Sequence, residues 1–332
     1  YNLTLEQTAV FGEDTFAATE KLSFTAGSRW FDYEEDFLLQ QGALLEGNKV
    51  EEERDYLYNN EKTNYSEDDW VPKLNVTYQI TDDVMTYGTY SEGFRSGGTN
   101  SLRASSILPK TYESDKLKNY ELGFKSTWLD NSLRFNAVAY FMQGDDMQRQ
   151  VIDPTIFSLG IVNFSEAEVK GFEAEVAWIP ATGWDISANF AAINAEISDD
   201  NEIYAPDGQL IASVADGTDL PIAPDSKGSI AIEYSFQSQL LGADPFMRLD
   251  WSYTGDSVNS LDGTESIVFT TGPTDQPSYD IGNFRMGLDA EQWSGTLYVT
   301  NITDEVAEQF YKNRWGSRQR LTINKPRTIG LT

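Results

Sequence analysis

Apolar and polar residues alternate along most of the chain with a period of two rather than 3.6. In the segment NYELGFKSTW, Tyr120, Leu122 and Phe124 fall on one face, whereas Glu121 and Lys125 fall on the other. Successive side chains of a β-strand point to opposite faces. The pattern therefore predicts strands with one apolar and one polar face.

The same alternation predicts about thirteen strands. Their approximate spans are 7–18, 22–37, 68–80, 83–95, 116–129, 132–148, 162–179, 183–199, 226–237, 244–257, 277–290, 293–306 and 321–332. Short turns such as TDD and DNS alternate with long loops centred near residues 50, 105, 155, 210, 265 and 313. All the short turns therefore lie at one end of the strands, and all the long loops lie at the other.

Strand length and aromatic placement separate two all-β folds. A soluble β-sandwich also has alternating strands, but these usually contain about five or six residues, and many strands here are longer. Aromatic residues also flank the short turns, namely Trp128, Trp178, Trp184, Phe236, Phe246 and Trp293. An aromatic girdle, short periplasmic turns and longer external loops are typical of membrane barrels. We therefore predict an all-β, transmembrane, antiparallel up-and-down β-barrel, of which an odd number of strands forms only part.

The amino-acid composition limits the partners and the kinds of catalytic or metal site that the chain can have. The chain has 53 acidic and 24 basic residues, a formal net charge of −29, which disfavours nucleic acid as a partner and favours cations. It contains no cysteine and no histidine, which excludes thiolate zinc sites, Ser-His-Asp catalysis and haem ligation by His from these residues. Carboxylate pairs such as Glu173 and Glu175, or Asp145 and Asp146, fit ion pairing on a polar face better than acid–base catalysis. We predict that the protein is not an enzyme.

Several segments resemble one family, the TonB-dependent outer-membrane receptors. YGTYSEGFRSGGTN at 87–100 is similar to a family segment in which a strand ends in a glycine-rich turn. VNFSEAEVKGFEAEVAWIP at 162–180, LYVTNITDEVAEQF at 297–310 and INKPRTIGLT at 323–332 resemble further strands of the family barrel, in the same order. The resemblance covers roughly residues 7 to 332, nearly the whole chain.

This resemblance implies a barrel of about 22 strands whose lumen is filled by an N-terminal plug domain. Residues 1–332 then form the C-terminal portion of the barrel, without the plug and the TonB-contacting segment. The implied function is active import across the outer membrane of a Gram-negative bacterium, most often of a ferric siderophore. The implied energy source is the TonB-ExbB-ExbD complex, which acts through the missing N-terminal region. The alternatives are another large nutrient, such as an oligosaccharide or cobalamin, a passive porin, or a surface adhesin.

Substrate contacts are expected on the lumenal rim and the inner sides of the loops. The candidates are Tyr90, Phe94, Arg95, Tyr112, Gln148 and Asn163. Aromatic rings there could stack on a flat metal chelate, and Arg95 could bind its carboxylate or catecholate oxygens. The alternative role for each residue is contact with the plug or with a neighbouring strand.

Acidic segments, including DYEEDF at 32–37 and SDDNEIYAPDG at 198–208, are expected at or beyond the external rim. They predict solubility and divalent-cation bridging to lipopolysaccharide, which together with outer-membrane lipid is an expected partner. Asp199, Asp200 and Asp207 are candidates for a Ca²⁺ site, because carboxylates beside a turn glycine supply oxygen ligands. The segment lacks EF-hand spacing, and we expect no other metal or cofactor.

Overall fold

A computed structural model describes residues 2–42, 58–100, 106–153, 158–204, 208, 210–261, 274–314 and 318–332. Thirteen strands form one sheet: β1 (Asn2–Ala17), β2 (Leu22–Gly42), β3 (Tyr58–Thr81), β4 (Val84–Arg95), β7 (Asp115–Trp128), β8 (Leu133–Asp145), β11 (Ala167–Trp178), β12 (Trp184–Ile197), β15 (Ser226–Ser235), β16 (Asp244–Thr254), β19 (Tyr279–Asp289), β20 (Ser294–Thr300) and β23 (Thr328–Leu331). They lie side by side in chain order, and each pairs antiparallel with its neighbours. The predicted antiparallel up-and-down sheet is confirmed.

Ten shorter strands form five separate hairpins within the described loops. They are β5 (Gly98–Thr99) with β6 (Thr111–Tyr112), β9 (Gln148–Asp153) with β10 (Ser158–Asn163), β13 (Asn201–Tyr204) with β14 (Leu210–Val214), β17 (Ser257–Val258) with β18 (Asp275–Gln276), and β21 (Glu308–Arg314) with β22 (Arg318–Ile323). The predicted spans 132–148, 162–179 and 321–332 were therefore too long. Their outer ends belong to loop hairpins and not to the main sheet.

The register of the sheet separates an apolar face from a polar face. Leu122 pairs with Gly88 on β4 and with Ala139 on β8, and its side chain is 65% exposed. Such apolar side chains are not covered by other parts of the protein. Their exposure is favourable in a membrane barrel, because the outer face contacts lipid. Among the described residues, no helix is long and apolar enough to cross a membrane.

Glycines on the polar face accommodate large rings from the next strand. A Cβ atom at Gly123 would lie 2.1 Å from the ring of Tyr87, and one at Gly171 would lie 2.2 Å from the ring of Tyr140. Since these distances are far below van der Waals contact, a larger residue at either position would force the ring or the strand to move. The rings lie flat against the neighbouring strand and lock its register.

Two clusters of buried apolar residues lie at the loop end of the sheet. One cluster joins loop hairpins to the strand ends and contains Leu108, Val151, Val162, Phe164, Ala167, Ile197, Val214 and Leu261. A second contains Phe31, Tyr33 and Tyr65, with Val71 and Phe94 packed against it. The loops are thus stabilised by their own core, which lies above the wall of the barrel.

Candidate functional site

The segment between β4 and β7 crosses the sheet and covers the upper part of β2. Phe31, Tyr33, Glu35 and Phe37 on β2 are buried, whereas the residues between them are exposed on the opposite face. The ring of Phe94 stacks on that of Phe31, with centroids 3.9 Å apart and planes within 7°. This contact holds the end of β4 over the face on which Phe31 lies.

Glu35 fixes the start of this crossing segment. Its side-chain Oε1 accepts hydrogen bonds from the Thr99 N–H at 2.9 Å and the Thr99 hydroxyl at 2.5 Å. The Tyr33 hydroxyl donates to Oε2 at 2.9 Å. Glu35 is only 8% exposed, so these donors replace the water that a carboxylate would otherwise bind.

Tyr65 on β3 carries a second set of contacts to the same segment. Its hydroxyl donates to Glu67 Oε2 at 2.8 Å and lies 3.5 Å from Glu113 Oε2. The Ser114 hydroxyl donates to the other oxygen of Glu67. Burial, followed by the hydrogen bond to Glu67, raises the pKa of the Tyr65 phenol above its ordinary value. Burial and the Glu35 carboxylate raise the pKa of Tyr33 in the same way.

Arg95, at the end of β4, forms a bidentate contact with Asp115 at the start of β7. Its Nε lies 2.8 Å from Asp115 Oδ2 and 3.1 Å from Oδ1, and its terminal Nη2 also donates to that carboxylate. The Gln148 N–H donates to Asp115 Oδ2 at 3.1 Å. The Gln148 side-chain amide donates to the carbonyls of Ser96 at 2.8 Å and Glu113 at 3.0 Å.

Asn163 completes the base of the crossing segment. Its Oδ1 accepts from the Glu113 N–H at 2.7 Å, and its Nδ2 donates to the carbonyls of Glu113 at 2.8 Å and Asp146 at 2.9 Å. Tyr112 lies close to Gly98, where an added Cβ would be 2.8 Å from the Tyr112 hydroxyl. Burial raises the pKa of Tyr112, with a further contribution from the Glu35 carboxylate.

The structure thus brings three of the six candidates, Arg95, Gln148 and Asn163, to one hydrogen-bonded base, with Tyr112 and Phe94 nearby. We name the contacts of Arg95, Asp115, Gln148 and Asn163 the loop base. Their polar atoms position main chain, and direct substrate contact by these residues stays a prediction. Tyr90 lies apart from them. It pairs with Tyr120, which lies on the same apolar face of β7 as Leu122. Its ring is 5.0 Å from that of Tyr120, and its hydroxyl donates to Glu92.

Three residues that the sequence analysis did not single out hold the site together. They are Glu35, Tyr65 and Asn100. The Asn100 side chain donates to the carbonyls of Pro109 at 2.9 Å and Ile161 at 2.6 Å, and accepts from the Ile161 N–H at 2.7 Å. The segment DYEEDF lies within β2. Its alternation could have identified Glu35 in advance, because it places Glu35 on the face opposite Glu34.

Two of the three Ca²⁺ candidates, Asp199 and Asp200, accept hydrogen bonds from other residues of the loops. The Asp199 carbonyl accepts from the Ser165 hydroxyl at 3.3 Å, and Asp200 Oδ1 accepts from the Asp216 N–H at 2.8 Å. Asp207 lies outside the described residues. Within the described part of the chain, no group of three or more His, Cys, Asp or Glu residues could hold a metal ion. Ca²⁺ binding here stays a prediction.

The sheet order, the alternating short and long connections and the exposed apolar face define part of an outer-membrane β-barrel. The chain belongs to the family described as TonB dependent receptor-like, beta-barrel, whose model matches residues 1–302. The predicted family, partial barrel and location in the outer membrane of a Gram-negative bacterium are therefore confirmed.

Curated relatives and solved structures agree with this assignment. The chain is 24% identical to the pesticin receptor of Yersinia pestis over 330 residues, which cover 99% of this chain and 43% of the relative. It is 23% identical to the probable TonB-dependent siderophore receptor PiuA of Acinetobacter baumannii over 267 residues, covering 78% of this chain and 33% of the relative.

The fold is also that of solved receptors. The crystal structure of the ferric yersiniabactin uptake receptor FyuA from Yersinia pestis superposes with a TM-score of 0.75 at 20% identity, covering 99% of this chain and 45% of that one. The siderophore receptor PiuA from Acinetobacter baumannii gives a TM-score of 0.72 at 16% identity, covering 99% and 42%. The chain thus spans less than half the length of these relatives.

Proposed function

We propose that this chain is the C-terminal portion of a receptor that imports a ferric siderophore across the outer membrane. The observation that carries the proposal is the family match over residues 1–302, together with relatives named for siderophore uptake. In this proposal the remainder of the receptor supplies a plug inside the barrel. It also supplies the segment through which the TonB-ExbB-ExbD complex drives transport.

The loop base has a defined role in this proposal. An external loop that binds a chelate does so more tightly when its ends are already held in place. Any part of the loop that becomes ordered only on binding costs conformational entropy and lowers the affinity. Before any ligand arrives, Glu35 holds the segment near its start, at Thr99, and Arg95 joins the two ends of the segment through Asp115. We infer that this preorganisation keeps the segment in place at the mouth of the barrel.

The composition supports a transporter and not an enzyme. Without histidine, this part of the receptor has no side chain that titrates near neutral pH without a strong shift. The same absence disfavours haem as the cargo. An oligosaccharide or cobalamin importer, a passive porin and a surface adhesin are the alternative functions, which differ in their substrate or in their need for energy.

Outer-membrane lipid is a proposed partner of the outer face. Asp32 pairs directly with Asp68, and Glu6 pairs directly with Glu34, beyond the paired Trp30 and Trp70. Directly opposed like charges destabilise a sheet. Divalent cations that bridge these carboxylates to lipopolysaccharide phosphates would relieve this repulsion.

Uptake in an iron-limited strain that lacks its own receptors tests the proposal. Cells expressing the full receptor should accumulate radioactive iron from at least one siderophore in a panel, and a protonophore should abolish the accumulation. Accumulation that persists with the protonophore would indicate a porin. Binding of a surface partner without any accumulation would indicate an adhesin, and uptake of only cobalamin or oligosaccharide would change the cargo.

A further inference from the structure

An open groove lies on the lipid-facing side of the sheet, at the end where the strands are joined by short turns. Its volume is about 790 Å³, which is within the range of about 300–1,000 Å³ that is typical of small-molecule pockets. Residues of β15, β16, β19, β20 and β23 border it. Met286 pairs with Leu297, and Leu297 pairs with Leu331, so these three exposed side chains share one face and form an apolar floor.

Aromatic rings and a glycine give the groove its shape. On one side, the ring of Tyr234 lies 4.8 Å from that of Trp184 and 4.8 Å from that of Phe236, centroid to centroid. On the other side, Trp293 precedes β20 and is followed by Gly295, which pairs with Leu288. A Cβ atom at Gly295 would come no closer than 3.9 Å to another residue, the Trp293 ring. Gly295 therefore leaves open a space that a larger side chain would fill.

The turn between β15 and β16 presents two leucines at this groove. Leu240 lines the groove and exchanges two backbone hydrogen bonds with Ala243, at 2.9 and 3.0 Å. Between them, Leu241 and Gly242 have φ values of 57° and 77°. A two-residue turn with positive φ at both positions favours asparagine, aspartate or glycine. Leu241 is nevertheless 82% exposed. It neither favours the turn nor packs on the protein, so lipid is the apolar environment that suits it.

The position of the groove and the charges around it select the kind of lipid. Membrane barrels have short periplasmic turns and an aromatic girdle beside them, so a groove next to Phe236 and Trp293 lies in the inner leaflet, where the lipid is phospholipid. The bordering segments 237–244 and 289–294 contain three acidic residues and no lysine or arginine. This negative charge disfavours an anionic headgroup and favours a headgroup that carries an ammonium group.

We propose that the groove binds one phospholipid with an ammonium headgroup, of which phosphatidylethanolamine is the simplest. One acyl chain lies over Met286 and Leu297 in the space left by Gly295. The headgroup lies at the turn, where the side chains of Gln237 and Ser238 border the groove and donate to phosphate oxygens. The groove is continuous with the lipid-facing surface of the barrel, which supports lipid as its occupant. Its concave shape gives a chain more contact than the wall around it.

Native mass spectrometry of the full receptor tests the site. The receptor is purified from outer membranes, freed of lipid and placed in detergent micelles that contain equal amounts of phosphatidylethanolamine and phosphatidylglycerol. The wild type should retain one phosphatidylethanolamine after the detergent has been removed by collision. Gly295→Leu should lose this lipid, because the new side chain fills the groove. Gly12→Leu is the matched control and should keep it. Gly12 lies on the lipid-facing side of β1, with no heavy atom within 4 Å of an added Cβ.

A second variant keeps the turn intact. Asparagine adopts positive φ more readily than leucine, so Leu241→Asn should reduce the retained phosphatidylethanolamine without lowering the thermal unfolding midpoint of the lipid-free receptor. Heat-dependent migration on gels verifies that all variants fold. The proposal is wrong if the folded wild type retains no phosphatidylethanolamine, or if it retains phosphatidylglycerol in preference. It is also wrong if folded Gly295→Leu or Leu241→Asn retains as much phosphatidylethanolamine as the wild type. None of these measurements involves the cargo, so their failure would leave the proposed function unaffected.

Discussion

Glu35 and Thr99 are 64 residues apart in the chain, yet one carboxylate oxygen of Glu35 accepts both the N–H and the hydroxyl of Thr99. The pair joins the upper part of β2 to hairpin β5–β6. Because Glu35 is buried and its donors are neutral, the contact fixes main-chain position without an ion pair. The mouth of the barrel is therefore defined by side chains that bind main chain.

Glu35→Ala should loosen the crossing segment without unfolding the barrel. The change leaves the partly buried Thr99 N–H and the buried Tyr33 hydroxyl without an acceptor, at a cost of up to about 1–3 kcal/mol for each unsatisfied group. We expect faster amide exchange at Thr99 and, if the proposed function holds, weaker binding of the proposed siderophore. Glu34→Ala, on the opposite face of the same strand, is the matched control. Equal exchange rates in both variants would contradict this role for Glu35.

Alkaline pH should destabilise the same region. The folded-state pKa values of Tyr33 and Tyr65 are raised by burial and by the adjacent carboxylates. Their contribution to stability is therefore complete below the unfolded pKa of about 10 and declines as the pH rises above it. Amide exchange around residues 97–100, corrected for intrinsic base catalysis, should accelerate above pH 10. Tyr65→Phe should reduce this pH dependence, and an unchanged profile would contradict the assignment.

Gly123→Ala should destabilise the barrel wall. The added Cβ would lie 2.1 Å from the ring of Tyr87, so the ring or the strand must move, which costs about 1–3 kcal/mol. Gly93→Ala is the control, because no heavy atom lies within 4 Å of its added Cβ. Thermal unfolding in detergent measures both. The double variant Tyr87→Ala, Gly123→Ala should lose less than the sum of the single changes if the two residues are coupled.

Asp68→Asn should stabilise the purified receptor by about 0.2–1 kcal/mol, because Asp68 lies directly opposite Asp32. The gain should shrink in high salt, which screens exposed charges. Glu20→Gln, in a short turn, serves as a control for the loss of one negative charge. If added Ca²⁺ stabilises the wild type but not Asp68→Asn, the proposed cation bridge gains support. If Asp68→Asn gives no stabilisation at low salt, the repulsion argument is wrong.

The strands of the barrel wall could be predicted from the sequence, because the pattern that identifies each strand lies within the strand itself. A period of two over ten or more residues, with turn residues between the segments, identifies each strand and its neighbours. The loop hairpins could not be found in this way, since β5, β6, β17 and β18 contain two residues each. Their positions depend on long-range contacts such as that between Asn100 and Ile161.

Tyr90 and Phe94 illustrate the same limit within the candidate site. They are four residues apart on β4, so simple alternation assigns both to one face. Tyr90 follows that rule and lies beside Tyr120, whereas Phe94 stacks on Phe31. The last pair between β3 and β4 is Lys73 with Ser91, and the end of β4 beyond it no longer follows β3. Tertiary contacts thus determine the surroundings of Phe94.

Arg95→Lys separates the two roles that this residue could have. Lysine keeps the positive charge but cannot form the bidentate contact with Asp115. If Arg95 acts by positioning the loop base, affinity for the proposed siderophore should fall about tenfold, which corresponds to about 1.4 kcal/mol. Amide exchange at Arg95 and Gln148 should accelerate together. Both amides donate to Asp115, so they report directly on its position. Lys110→Arg, within the same segment, is the control for a changed cation. Reduced affinity with unchanged exchange would show instead that Arg95 contacts the ligand.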